Sequence, residues 1–151
     1  MSSSSPSMCV LFTLMLPLVS ASIYYNNYVD TPYVYELTSV SEFHQRVLRS
    51  HTAWVVLFYR DDCVTCQFLK PDYIEFAQQA ATRDERRFRV AAVNCNMPTN
   101  KRVCSLSRVR MVPTVLLYFR HSQCSGKAVQ MDRRSPRTAA GLWSFVNQYL
   151  R

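Results

Sequence analysis

The chain has 151 residues, 48% of them hydrophobic, enough for one domain with a buried core plus a short leader. Its 2 glycines argue against a Gly-rich phosphate loop, and so against nucleotide binding. The formal charge of +8 comes from scattered cations with no Lys/Arg stripe interleaved with aromatics, so no nucleic-acid partner is expected; a basic surface of this kind suits acidic partners or membrane headgroups.

Residues 1–21 read as a secretory signal peptide. Met8 to Val19 is an apolar run of signal length, and Val19-Ser-Ala21 fits a small-residue cleavage site, although no Lys or Arg precedes the run. The run is short for a membrane span, so a membrane is expected as a partner only if the leader stays uncleaved. The expected location is the endoplasmic reticulum lumen or the outside of the cell. Losing Cys9 with the leader leaves five cysteines, Cys63, Cys66, Cys95, Cys104 and Cys124, so at least one lacks an intrachain partner. Residues 22–32 form a tyrosine-rich N-terminal extension, and residues 33–151 the folded domain.

Tyr33 to Leu37 reads as the first strand. Ser41 caps a helix through Phe43, Val47 and Leu48; Ser39 with Glu42 is an alternative capping box. Trp54 to Tyr59 is a continuous apolar run, as in a central strand covered on both faces. After Cys63-Val-Thr-Cys66 comes a helix in which Pro71 is expected to introduce a kink, and Arg83 to Arg87 is a charged break. Phe88 to Asn94 is the next strand. Thr99 or Asn100 can cap a short helix to about Val109. Val115 to Phe119 is a strand, His121 to Gly126 a turn, and Lys127 to Met131 a hairpin strand. Pro136 starts a last helix with Ala139, Leu142, Phe145 and Val146 at helical spacing. The order β-α-β-α-β-α-β-β-α predicts an α/β fold, a central mixed sheet with helices on both faces.

Cys63 and Cys66 carry the chemistry. Strand, turn, Cys-x-x-Cys and helix is the context in which this motif reads as redox-active. Unpaired N–H groups and the positive dipole end at the first turn favour a thiolate at Cys63, and Cys66 is close enough to resolve a mixed disulfide formed there. An inert structural disulfide and half a zinc site are the alternatives. Zinc needs a second close Cys or His pair, and Cys95, Cys104 and Cys124 do not supply one, so no metal or other cofactor is expected.

The Trp54–Tyr59 strand, Cys63-x-x-Cys66, Pro71 in the following helix and Val112-Pro113-Thr114 before a strand together resemble the thioredoxin fold. Val90-Ala-Ala-Val-Asn-Cys95 and Ser135-Pro-Arg-Thr-Ala-Ala-Gly141 further resemble a catalytic a-type domain of the protein disulfide isomerase family. The likeness runs from about Tyr33 to Leu150. It implies a thioredoxin domain that acts as a thiol–disulfide oxidoreductase on cysteine-containing client proteins. Cys63 would be the exposed nucleophile and Cys66 the buried resolving cysteine. Pro113 would be a cis-proline beside the disulfide, exposing the backbone of Val112 to an extended peptide. Arg137 would swing inward and lower the pKa of the resolving cysteine. Some domains of this family, and the thioredoxin domain of quiescin sulfhydryl oxidases, look similar around Cys95 and Cys104 and hold a second disulfide there, implying a structural bridge. Cys124 is then the leftover thiol, idle or open to an intermolecular bond.

The chain departs from that pattern in two places. No histidine lies between the cysteines, and Asp61 and Asp62 put negative charge just before Cys63, which predicts a more reducing couple. Leu57 occupies the place of the family's buried glutamate, so Cys66 is expected to deprotonate slowly. Both points leave room for a second reading, a thioredoxin-like binding or chaperone module with slow or vestigial redox activity. A third is the thioredoxin part of a sulfhydryl oxidase whose flavin domain would come from a partner.

Overall fold

A computed structural model describes Tyr28 and residues 31–83, 87–120 and 128–150. The leader, most of the extension, the 121–126 turn and Cys124 lie outside these described residues. Strand β1 is Tyr35–Leu37, helix α1 is Val40–Phe43 and continues into a wider π turn at His44–Leu48, and β2 is Ala53–Tyr59. Helix α2 is Val64–Arg83, β3 is Phe88–Asn94, and a 3-10 turn at Pro98–Asn100 leads into α3, Lys101–Leu106. Then come β4, Thr114–Tyr118, β5, Ala128–Gln130, and α4, Ala139–Tyr149. The five strands lie in the order β1-β3-β2-β4-β5; the β1–β3 and β3–β2 pairs are parallel, and the β2–β4 and β4–β5 pairs are antiparallel.

Every residue of β2 is buried, as its unbroken apolar run requires. Val55, Leu57 and Tyr59 face the cluster under α2 and α4, where Cys66, Leu69, Tyr73, Leu142 and Phe145 pack. Trp54, Val56 and Phe58 face the other cluster, under α1 and α3, with Phe43, Val47, Val103 and Cys104. The period-2 alternation of one strand thus supplies both cores.

Several helix boundaries differ from the sequence expectation, each for a local reason. Ser39, not Ser41, caps α1: its Oγ accepts the N–H of Glu42 at 3.1 Å. Glu42 reaches back to the N–H of Thr38 at 3.0 Å rather than to that of Ser39. α2 carries Pro71 inside it, as expected, and reaches Arg83 at the edge of the charged break. α3 stops at Leu106 rather than near Val109, because Arg108 turns to φ 54° and the N–H of Val109 folds back to the carbonyl of Cys104 at 3.0 Å. Asn100 does not cap α3 with its side chain; it is fully buried and donates to the carbonyl of Leu37 at 2.8 Å. α4 starts at Ala139 rather than Pro136, capped by Thr138, whose Oγ1 accepts the N–H of Gly141 at 3.2 Å. Asp72 of α2 accepts the N–H of Ala139 at 3.0 Å, which ties the two helices together. Gly141 is needed for close approach, since a Cβ there would lie 2.0 Å from the carbonyl oxygen of Pro136.

Candidate active site

β2 ends at Tyr59, and three residues turn the chain into α2. The N–H of Cys63 donates to the carbonyl of Arg60 at 3.3 Å, and the carbonyl of Cys63 accepts the N–H groups of Cys66 and Gln67, both at 3.1 Å. Cys63 therefore occupies the capping position of α2. The N–H of Cys66 also lies 3.2 Å from Cys63 Sγ, and Thr65 Oγ1 is 3.3 Å from the same sulfur. Cys63 and Cys66 form a disulfide with Cα atoms 5.2 Å apart. Cys66 is fully buried, whereas Cys63 is only partly covered. Once the bond opens, a helix-terminal N–H already points at the outer sulfur, which favours its thiolate.

The two acids before Cys63 are engaged. Arg60 donates to both oxygens of Asp62, at 3.0 and 2.9 Å, and Asn96 adds a third contact at 3.3 Å. These hydrogen bonds, Arg60's first, hold the Asp62 carboxyl below its ordinary range. Arg60 thereby offsets part of the negative charge that the sequence places beside Cys63. Asp61 is gripped by the amide of buried Asn94, at 2.9 and 3.0 Å.

The peptide bond between Val112 and Pro113 is cis. Phe58 pairs with Thr114 in the β2–β4 ladder, so Pro113 falls at the same sheet end from which α2 begins. Val112 and Cys63 both pack on the cluster that contains Cys66. Thr114 Oγ1 donates to the carbonyl of Met111 at 2.6 Å and closes the turn, leaving Met111 49% exposed.

Leu57 is fully buried, and its row across the sheet contains Ala92 and Val115. An acid nevertheless enters this face from the sheet edge. Glu36 of β1 pairs with Ala92, which pairs in turn with Leu57, so the three side chains share one face. Tyr59 Oη donates to Glu36 Oε1 at 2.8 Å, and the N–H of Tyr28 donates to Oε2 at 3.1 Å. The Tyr28 ring is fully buried edge-on against Tyr59 and Tyr73, with Lys70 Nζ 5.4 Å above it. Burial pushes the Glu36 carboxyl up to about 7, opposed by the Tyr59 and Tyr28 hydrogen bonds; Asp61 adds to the rise and Lys70 opposes it. Burial likewise lowers the pKa of Lys70, which lies one turn after Cys66 on α2. Sequence reasoning missed this group; its only linear trace is one acid inside the first strand.

Arg137 lies just before the Thr138 cap, half-buried, and its Nη1 is buried with no hydrogen-bond partner among the described residues. Burial, then Arg133, lowers its pKa. Cys95 and Cys104 form a second disulfide, with Cα atoms 6.0 Å apart, joining the end of β3 to α3. The N–H of Cys95 donates to the carbonyl of Tyr59 at 2.8 Å, so this bridge is anchored to the strand that leads to Cys63. Among the described residues no cluster of three or more His, Cys, Asp or Glu is arranged to hold a metal, and no helix is long and apolar enough to cross a membrane.

The thioredoxin family model matches residues 34–148. A putative protein disulfide-isomerase of Dictyostelium discoideum is 27% identical over 118 residues, which is 78% of this chain and 27% of that protein. The protein disulfide-isomerase MPD1 of Saccharomyces cerevisiae is 31% identical over 93 residues, 62% of this chain and 28% of that protein. The chain thus spans little more than a quarter of the length of these relatives. The crystal structure of the J-Trx1 fragment of ERdj5 superposes with a TM-score of 0.66 at 27% identity, covering 82% of this chain and 53% of the fragment. The first thioredoxin domain of mouse protein disulfide-isomerase A4 superposes at 0.61 with 22% identity, covering 76% of this chain and 74% of that domain, a likeness of fold.

Proposed function

The chain belongs to the thioredoxin family, and on that premise we propose that it is a thiol–disulfide oxidoreductase of the secretory pathway, similar to protein disulfide isomerase, acting on cysteines of client proteins. One observation carries this reading: a half-covered Cys63 bonded to a buried Cys66 at the start of α2, with a cis Val112–Pro113 peptide at the same end of the sheet.

In the disulfide state, a client thiolate attacks Cys63 Sγ. The Cys63–Cys66 bond breaks, a client–Cys63 bond forms, and Cys66 leaves as a thiolate that takes up a proton. A second client thiolate then attacks the client sulfur of that mixed disulfide and releases Cys63 as a thiolate. The client dithiol is oxidised to a disulfide and the pair is reduced to a dithiol, so electrons and protons balance. The reverse sequence reduces a client disulfide, with Cys66 resolving the intermediate.

Cys63 is the sulfur that exchanges with clients, attacked when they are oxidised and attacking when they are reduced, because it is reachable and has a helix-terminal N–H against it. Val112 offers backbone to an extended client strand, held open by the cis bond to Pro113. Arg137, with a buried and unpartnered nitrogen, is the residue that would steady the Cys66 thiolate. Cys95–Cys104 serves as a scaffold bridge. The leader would deliver the chain to the endoplasmic reticulum lumen or beyond, and Cys124 would remain for an intermolecular bond.

Leu57 supports the second reading, a binding module that turns over slowly, since it removes the acid from beneath the pair. Insulin reduction by the wild type and by Cys63→Ser separates the two. Clear turnover lost in the variant supports the enzyme; equal background rates remove it. Cys66→Ala should accumulate dithiothreitol-sensitive mixed disulfides through Cys63, and a clean monomer band would count against Cys63 as the nucleophile.

A further inference from the structure

Beside the cis-proline loop lies a cavity of about 450 Å³. Its walls include Arg60, Lys101, Arg110, Met111, Val112 and the Cys95 end of the second disulfide. Arg60 shares its charge with Asp62. Lys101 and Arg110 are both exposed and have no ion-pair partner among the described residues. The Asp62 carboxylate is held by Arg60 and Asn96, both in the cavity wall, but the segment that carries Lys101 and Arg110 has charge of one sign. From Cys95 to Arg120 the sequence holds Lys101, Arg102, Arg108, Arg110 and Arg120, with no Asp or Glu. The second disulfide ties the start of this segment to α3, and the hydrogen bond from Cys95 to Tyr59 ties it to the strand leading to Cys63. The cations are thus mounted on a braced element next to Val112, the residue whose backbone a client would meet.

Resting on the oxidoreductase reading above, we propose that this cavity receives a carboxylate of the client, so that the domain selects cysteines with an Asp or Glu a few residues away in an extended segment. A client strand laid along Val112 passes the mouth of the cavity, and there Lys101 and Arg110 meet its side chains. Exposed cations of this kind act chiefly on encounter rate and on the choice between partners. They also disfavour client segments that are themselves basic. The exposed Met111 at the same rim contacts an apolar neighbour of the cysteine without adding charge preference.

The test uses two cysteine peptides that differ only in acid against amide, Asp and Glu against Asn and Gln, beside the cysteine. Exchange with the oxidised full chain is followed by stopped-flow fluorescence at low and high salt. Anisotropy of the corresponding Cys→Ser peptides reads binding without chemistry. Wild type should prefer the acidic peptide by roughly fivefold at low salt, in rate and in affinity. That preference should shrink with added salt. It should fall to about one in Lys101→Glu/Arg110→Glu and to an intermediate value in Lys101→Gln/Arg110→Gln, with the amide peptide reacting equally well in all three proteins. An unchanged preference in both variants overturns the proposal, as does equal binding of the two peptides by wild type. If neither peptide exchanges but the acidic one still binds better through Lys101 and Arg110, the carboxylate site stands and the redox reading falls.

Discussion

The two faces of the sheet each hold one disulfide, and they differ in what surrounds it. Under α2 and α4, Cys66 shares its cluster with Tyr28, Tyr59 and Tyr73, and Glu36 enters at the edge. Under α1 and α3, Cys104 packs among Val103, Val93, Phe43 and Tyr118. The first pair spans one helical turn and leaves its leading sulfur half-covered. The second closes a longer loop between a strand end and a helix, and Cys104 is only 7% exposed. On the proposed reading, two bonds of the same kind separate into a chemical site and a brace, by the company each keeps rather than by the cysteines themselves.

The sharpest way to break this comparison is to exchange the injuries. Cys63→Ser should lower insulin reduction by more than about a hundredfold, to background, with little change in melting temperature. Loss of fold in that variant, or retained turnover, would contradict the division. Gly141→Ala drives a methyl into the carbonyl of Pro136 at 2.0 Å and strikes the packing of α4 on the face that holds Cys66. It should cost about 4 kcal/mol, at the far end of single substitutions, measured by denaturant unfolding.

Glu36 sharpens the contrast by pH. Its folded pKa of about 7 lies above the ordinary 4.5, so between those values the native state binds the proton more tightly than the unfolded chain. Its contribution is therefore full below pH 4.5 and is lost as pH rises through 7, on the order of 3 kcal/mol. Glu36→Gln should flatten that slope in unfolding curves taken from pH 4.5 to 7.5; an unchanged slope would place its origin elsewhere. Removing the brace, Cys95→Ala with Cys104→Ala, should cost about 2–3 kcal/mol and leave exchange at Cys63 close to wild type. A collapse of exchange in that variant would merge the two disulfides into one functional unit.

Much of the fold was legible in linear order. The all-buried β2 run, the Cys-x-x-Cys pair at a helix start, the Phe88–Asn94 strand and the helical spacing of Leu142, Phe145 and Val146 each sit where their local pattern puts them. Helix ends were read less well, because caps compete locally: Ser39 won over Ser41, and Thr138 over Pro136. At the site, Leu57 reads from sequence as the absence of a buried acid. The structure keeps that residue apolar and brings Glu36 onto the same face by way of Ala92.

The sequence alone determined the order of elements, the place of the Cys63–Cys66 pair at the head of α2 and the proline that precedes β4, because periodicity, caps and spacing are properties of neighbours along the chain. Only the tertiary structure decided that Glu36 would meet Tyr59 and Tyr28, and that Lys101 and Arg110 would line a cavity with Val112. Those meetings depend on strand order and register across the sheet. Register sets which side chains share a face, and it is fixed by the packing of both cores together rather than by any short stretch of residues.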